Sequence, residues 1–384
     1  MIYFNYGSLN YTLTNSIENV KASWKNTANN DLYLEFDFLK AIEELPIIGI
    51  QPYYVVETFN DQITRLFYFQ VKEFRLREAL KFDRNTLAGK LKWLLSKWIN
   101  FKCLVSGNIL VTGNHGSFIK GGEHKFFDEE LFPFIVVVQS QIKSYFQDNT
   151  SMILVKDFFK SEKTNRKLHY AYTKAEIDPN MILEIPTEWT SFDDYLVSLK
   201  AKYRVNYKRA IKLLGDVKSK ELDIECLEKY SLVMHSLYTN IAINANFNLF
   251  QLSEDYFVTL KKNLGELFNI VGLFHNQKMV GFFSYTDNAN HIDAHFLGFD
   301  PEGNVKSQLY LNMLYMLTEI AILRKKKTLI LSRTAIEIKS SIGAKPYDMV
   351  SYFRSKYWLF NIILKTVFGF FKPETNRKMR HPFK

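Results

Sequence analysis

The amino-acid sequence predicts an α+β protein built as two similar halves in tandem. The chain has 384 residues, more than the roughly 100–200 of one ordinary domain. Its apolar residues recur at the strand period in some stretches and at the helical period in others. An outline of hairpin, strand, helix and strand occurs before Pro186 and again after it.

In the first half, Phe36, Leu39, Ala41, Ile42 and Glu43 fit a short amphipathic helix. Residues 51–57 and 63–69 alternate as a hairpin whose turn is Asn60-Asp61. A helix over 87–98 and a strand over 104–113 follow, then a loop marked by Gly116, Gly121 and Gly122. A helix over 130–146 has Pro133 in its first turn, and strands at 152–158 and 181–185 close the half. The second half opens at Ser191, whose Asp194 three residues on makes a capping box for a helix running to Gly215. Helices at 227–241 and 253–264 lead into a three-strand meander over 268–274, 279–285 and 291–299. A long helix over 305–324 and a strand over 328–332 come next. The expected division is 1–186, 187–356, and a basic aromatic tail over 357–384.

Composition narrows the function classes. Hydrophobic residues make up 47% and aromatics 16%, enough for a core in each half, which excludes a disordered chain. Fifty Lys and Arg face 40 Asp and Glu, and the net charge of +10 favours anionic partners. The two cysteines, Cys103 and Cys226, make neither a disulfide framework nor a cysteine metal site. The sequence carries no signal-peptide pattern and no apolar run of about 20 residues, so a cytoplasmic protein is expected. The oily stretch 357–371, flanked by Arg354, Lys356, Lys372, Arg377, Lys378 and Arg380, reads either as a final packed helix or as an interfacial segment seeking anionic lipid.

Three stretches could carry chemistry. Tyr195, Leu199, Tyr203, Tyr207 and Ile211 recur every four residues as an apolar stripe, beside Lys200, Arg204, Lys208 and Lys212. Such a cationic line is either a solvated helix face or a clamp for a phosphate-bearing ligand. On the third meander strand, alternation puts His291, Asp293 and His295 on one face, and Ile292, Ala294 and Phe296 on the other. Two histidines and an aspartate on one flat strand splay too far for a metal, so no metal is expected; they read either as a set for proton transfer and substrate orientation or as a hydrogen-bonded strand facing solvent or a helix. The polar segment 332–344 after the last strand carries Arg333, Glu337 and Lys339, with Glu337 able to pair with Arg333 if both are helical.

The second-half element order, the segment Arg333-Thr334-Ala335-Ile336-Glu337-Ile338-Lys339-Ser340 with Gly343-Ala344 and Pro346, and the lead-in Leu183-Glu184-Ile185-Pro186 followed by Tyr195-Leu196, Leu199 and Arg204 resemble the GNAT-fold acyltransferases, in particular their Fem-type branch. The resemblance implies two GNAT-like domains, each a mixed, mostly antiparallel sheet with flanking helices. It implies transfer of an acyl or aminoacyl group to an amine acceptor in cell-envelope or aminolipid synthesis, with a backbone N–H polarising the donor carbonyl where central strands splay. On that reading Asp293, His295 and Arg333 are catalytic, while Arg204, Tyr207, Lys208, His291, Glu337 and Lys339 bind substrate or anion. A glycine-rich pyrophosphate loop is not recognisable at Gly303-Asn304-Val305-Lys306-Ser307. The donor is therefore left open among acyl-CoA, a carrier-bound acyl group and aminoacyl-tRNA. Peripheral contact with the anionic inner membrane belongs to the same expectation. The rival reading is a non-catalytic GNAT-like module binding RNA or anionic membrane.

Overall fold

The computed structural model of the protein describes residues 1–25, 31–45, 49–75, 90, 94, 100–119, 128–160, 172–244, 251–361 and 378–384. The chain divides into two compact units. Unit 1 comprises Met1–Ile177, Asn246–Gln251 and Asp348–Pro373; unit 2 comprises Asp178–Ala245, Leu252–Tyr347 and Glu374–Lys384. The first division falls inside a strand, between Ile177 and Asp178, whereas the sequence pattern points to the loop near Pro186. Periodicity marks where an element ends, not where long-range contacts change partner.

Unit 1 contains β1 (Ile2–Tyr6), β2 (Leu9–Thr14), α1 (Lys21–Lys25), α2 (Phe36–Glu44), β3 (Ile50–Phe59), β4 (Gln62–Arg75), β5 (Asn100–Ser106), β6 (Ser117–Ile119), α3 (Asp128–Phe146) and β7 (Met152–Phe159). The β3–β4 hairpin turns on Asn60 and Asp61, both at positive φ, the geometry a two-residue turn requires and these residue types tolerate. Neighbours in the row β1-β2-β3-β4-β5 are antiparallel, but β5 and β7 run parallel from Cys103↔Met152 to Ser106↔Val155. Buried α3 side chains Phe132, Ile135, Val138 and Ile142 pack on Leu104, Ile153 and Val155 of these strands. The strand expected over 104–113 stops at Ser106, because Gly107 takes a φ of 106° and turns the chain away. Since α3 begins at Asp128, Pro133 lies in its second turn, not its first. The helix expected over 87–98 falls outside the described residues save Lys90 and Leu94, as do Gly121 and Gly122.

Unit 2 holds most of β8 (Thr173–Glu184), then α4 (Phe192–Ser198), α5 (Ala201–Leu214), β9 (Lys218–Glu221), α6 (Ile224–Asn244), α7 (Tyr256–Leu264), β10 (Phe268–His275), β11 (Lys278–Asn288), β12 (His291–Phe299), α8 (Pro301–Ser307), α9 (Leu309–Leu323), β13 (Thr328–Ile330) and α10 (Ile336–Ser341). The last strand, β14 (Lys345–Ser355), starts in unit 2 and ends in unit 1. Strands follow in the order β8-β13-β12-β11-β10-β9, antiparallel except for the parallel pair β12–β13. Strand, helices, three antiparallel strands, helix and parallel strand thus recur in both units.

Two expected long helices are each broken. The Ser191 hydroxyl accepts the Asp194 N–H and the Asp194 carboxylate accepts the Ser191 N–H, so the capping box forms as its residues dictate. The helix stops at Leu199, whose ψ of 147° separates α4 from α5. A four-residue repeat drifts around a helix of about 3.6 residues per turn. In α5 the inward line is therefore Tyr203, Tyr207, Ala210 and Leu214, and Ile211 is exposed. Likewise Gln308, at φ 49°, splits the helix expected over 305–324 into α8 and α9.

Candidate functional site

The parallel pair β12–β13 is short. It joins His291↔Thr328, Ile292↔Leu329 and Asp293↔Ile330, after which β13 ends while β12 continues to Phe299 beside β11 alone. At that parting β12 bulges. Phe283 faces Leu297 and Tyr285 faces Ala294, which leaves Ser284 opposite both His295 and Phe296. The buried Ser284 hydroxyl accepts the Phe296 N–H (3.0 Å) and donates to the Phe296 carbonyl (2.8 Å), pinning the extra residue from the next strand.

The bulge also decides which side chains share a face. Ile292, Ala294, Leu297 and Phe299 pack toward the core built on α9. His295 and Phe296 both reach Tyr256 of α7 on the other side, with ring centroids 5.8 and 5.7 Å away. Phe296 therefore does not join Ile292 and Ala294 as strict alternation predicts. Asp293 is buried, its carboxylate accepting from Asn288 Nδ2 at 3.4 Å, and His291 is half-buried at the strand's start. Gly298 lets the α6 backbone approach closely: a Cβ there would sit 2.5 Å from Leu237 C and Tyr238 N.

The Tyr256 hydroxyl and His295 Nε2 lie 2.7 Å apart. Burial pushes the tyrosine hydroxyl well above its ordinary range and pulls the imidazole down to about 3, so two neutral groups share one hydrogen. An imidazole this weakly basic holds no proton for long; it suits relay rather than storage. A stability consequence follows. The unfolded chain takes up a proton at this histidine below its ordinary value of 6.5, while the folded one refuses it until about 3. Stability should fall as pH drops from about 6.5 toward 3, and denaturant titrations of His295→Gln across that window should show a shallower fall; equal slopes would contradict the assignment.

The segment after β13 is strained. Ser332, Thr334 and Ala335 have φ values of 58°, 66° and 48°, with Arg333 between them. A β-branched residue at positive φ is a conformational outlier, and such backbone persists only where its surroundings hold it. Lys339 supplies the hold: from a buried position its ammonium donates to the carbonyls of Ser332 (3.4 Å) and Arg333 (2.5 Å). Burial lowers its pKa to about 7. Lys339 thus faces loop carbonyls rather than an open anion site. Because Thr334 and Ala335 are left-handed, Arg333 lies outside α10, and Glu337 pairs instead with Lys378 (3.4 Å) and Arg380. Those two cations keep the Glu337 carboxyl below its usual range, the Arg380 hydrogen bond contributing most. A groove of about 560 Å³ runs beside this segment, lined by Lys202, Tyr203, Asn206, Glu337, Ser341 and Arg380 among others.

The predicted residues fall into two groups. His291, Asp293 and His295 share the α6–α7 side of the sheet, whereas Tyr207 packs with Tyr203 toward the α9 side. Tyr207 is held edge-on to Tyr315 at 5.0 Å. Arg204 turns back to donate to the Leu199 carbonyl at the helix break, and Lys208 is exposed. Tyr256 and Ser284 carry no sequence signal that separates them from core residues. Asp300-Pro301 does: a carboxylate followed by proline is a helix-start signature. The Asp300 carboxylate accepts the Gly303 N–H at 2.9 Å, and the Asn304 side chain accepts the Tyr310 N–H at 2.9 Å. The chain's own oxygens thus take one N–H at each helix start after β12, and an aspartate there repels a phosphate. These residues do not fit the pyrophosphate of CoA. Among the described residues no cluster of three metal-ligating side chains occurs, and no helix is long and apolar enough to cross a membrane.

In unit 1 the corresponding parting is occupied by its own chain. Beyond Val155, the Lys156 ammonium donates to the carbonyls of Val111 (2.7 Å) and Gly113 (3.0 Å), while the Asp157 carboxylate accepts the Gly113 N–H (3.1 Å). Ile109, Leu110 and Val111 are buried there.

Repeated strand–helix plans, each with a parallel pair that parts, give the chain a tandem GNAT fold. The sequence matches no known family profile and no curated protein. Among solved structures it is similar to FemX, with 10% identity and a TM-score of 0.52 over 96% of this chain and 99% of that one. It is also similar to a tandem GNAT protein from the clavulanic acid biosynthesis pathway, with 8% identity and a TM-score of 0.50 over 90% of this chain and 98% of that one. At these identities the likeness establishes the fold.

Proposed function

We propose that unit 2 transfers an acyl or aminoacyl group to an amine, at the point where β12 and β13 part. The supporting observation is the coincidence there of the open strand edge, the Ser284-pinned bulge and the neutral Tyr256–His295 pair. In this reading backbone N–H groups of β12 donate to the donor carbonyl as negative charge develops on its oxygen. The amine nitrogen bonds to the carbonyl carbon, the bond from that carbon to the donor's ester oxygen or thioester sulfur breaks, and the amine's proton passes through the His295–Tyr256 pair to the departing oxygen or sulfur, which leaves as the alcohol or thiol. Asp293 and His291 orient the acceptor beside them, and Arg333 stabilises the donor's charge from the strained segment that Lys339 holds. Glu337 belongs to the binding side, in the groove beside α5, and Arg204 and Tyr207 seat that helix. Asp300 disfavours a CoA-borne group, so the reading favours an aminoacyl ester or carrier-borne acyl donor. An envelope precursor or aminolipid, reached from the cytoplasm, is the acceptor class this chemistry suits.

The test is a mass-spectrometric screen of donors against amine acceptors, run with the wild type and Tyr256→Phe. Transfer is expected from a non-CoA donor, with kcat reduced about 100-fold or more in the variant at unchanged fold. No transfer from any donor, or full activity in Tyr256→Phe, would sink the proposal.

A further inference from the structure

The side of α5 turned away from the core has no role in the transfer chemistry. Tyr203, Tyr207, Ala210 and Leu214 face inward, which leaves Val205, Lys208, Arg209 and Lys212 on the opposite side, with Lys202 one turn before them. All five are exposed, and none of the four cations has an ion-pair partner among the described residues. Val205, 63% exposed, sits among the four cations. Ile211 and Leu213 flank it at 42% and 39%, and Val197 of α4, 65% exposed, precedes it. Bare aliphatic side chains interleaved with unneutralised cations are costly facing water alone, since the charges repel and the apolar surface stays wet.

We propose that this face of α5 is a docking surface for an anionic phospholipid membrane. Lysine and arginine heads meet the headgroup charge while Val197, Val205, Ile211 and Leu213 enter the boundary with the acyl chains, the arrangement of an interfacial helix. Nucleic acid would supply the charge but not a place for the aliphatic groups. It would also want rings to stack on, and the helix turns its tyrosines, Tyr203 and Tyr207, inward. Three of the four cations are lysines, point charges suited to a diffuse anionic layer more than to bidentate phosphate recognition.

The test is co-sedimentation of the full chain with vesicles of phosphatidylcholine alone and of equimolar phosphatidylcholine and phosphatidylglycerol. Binding is expected only to the second kind, weakening as salt rises. Lys208→Glu with Lys212→Glu should weaken it about thirtyfold or more, since each basic residue near the surface contributes about a factor of five to ten. Val205→Asp should weaken it too, and melting temperatures should stay unchanged because these side chains face solvent. Lys143→Glu with Lys278→Glu, the same charge change elsewhere, should bind like the wild type. The proposal is overturned if the α5 variants bind normally, if the control pair loses as much, or if the wild type ignores anionic vesicles and instead binds a single-stranded RNA oligonucleotide through Lys208 and Lys212.

Discussion

Gly298→Ala should be among the most disruptive single-methyl changes in unit 2. The added carbon would meet Leu237 C and Tyr238 N of α6 at 2.5 Å and Phe282 Cε1 at 2.7 Å. A flexible side chain could swing aside, but two of these are backbone atoms inside a helix, so α6 must lift from β12. Overpacking a core costs about 1–3 kcal/mol and more where backbone has to move; we expect about 3 kcal/mol in urea denaturation. Tyr238, whose ring lies 5.7 Å from that of Phe296, would move with the helix and loosen the roof over His295. Loss of transfer in the fraction that stays folded should accompany the loss of stability. A variant as stable and active as the wild type would mean that α6 does not seat on β12 at Gly298.

Lys156→Met should destabilise unit 1 by about 3–5 kcal/mol, the usual penalty for stranding one member of a buried ion pair. Lys156 and Asp157 are 5% and 2% exposed, 2.7 Å apart, and hold the 111–113 segment through three further hydrogen bonds. Removing the ammonium leaves the buried Asp157 carboxylate, which also accepts from the Gly113 N–H and the Ser351 hydroxyl, without its neighbouring cation. Replacing both residues by apolar ones of similar size should recover part of the loss, because no uncompensated charge then remains. Equal losses in single and double variants would show that packing, not charge, holds the segment.

Much of the fold was legible because its signals are local. Asn60-Asp61, the Ser191–Asp194 box and the meander over 268–299 each depend on neighbours in sequence, and each forms. The helix breaks at Leu199 and Gln308 were not legible. Leucine and glutamine are ordinary helix formers, and packing against partners distant in sequence overrides that preference. The candidate site shows the same limit. His295 stood out as a titratable group in a strand, but its partner Tyr256 is 39 residues away, and the Ser284 bulge exists only in the pairing of two strands. Lys339 looked like a free cation because sequence does not tell an ammonium facing solvent from one buried against Ser332 and Arg333 carbonyls.

The central claim, that unit 2 holds the donor where β12 and β13 part, is tested most directly by hydrogen–deuterium exchange with the donor that supports transfer. The account predicts protection in peptides covering 294–299 and 331–335, with exchange over 100–116 and 152–159 of unit 1 unchanged. Protection confined to the unit 1 peptides, or to surfaces away from β12, would contradict it.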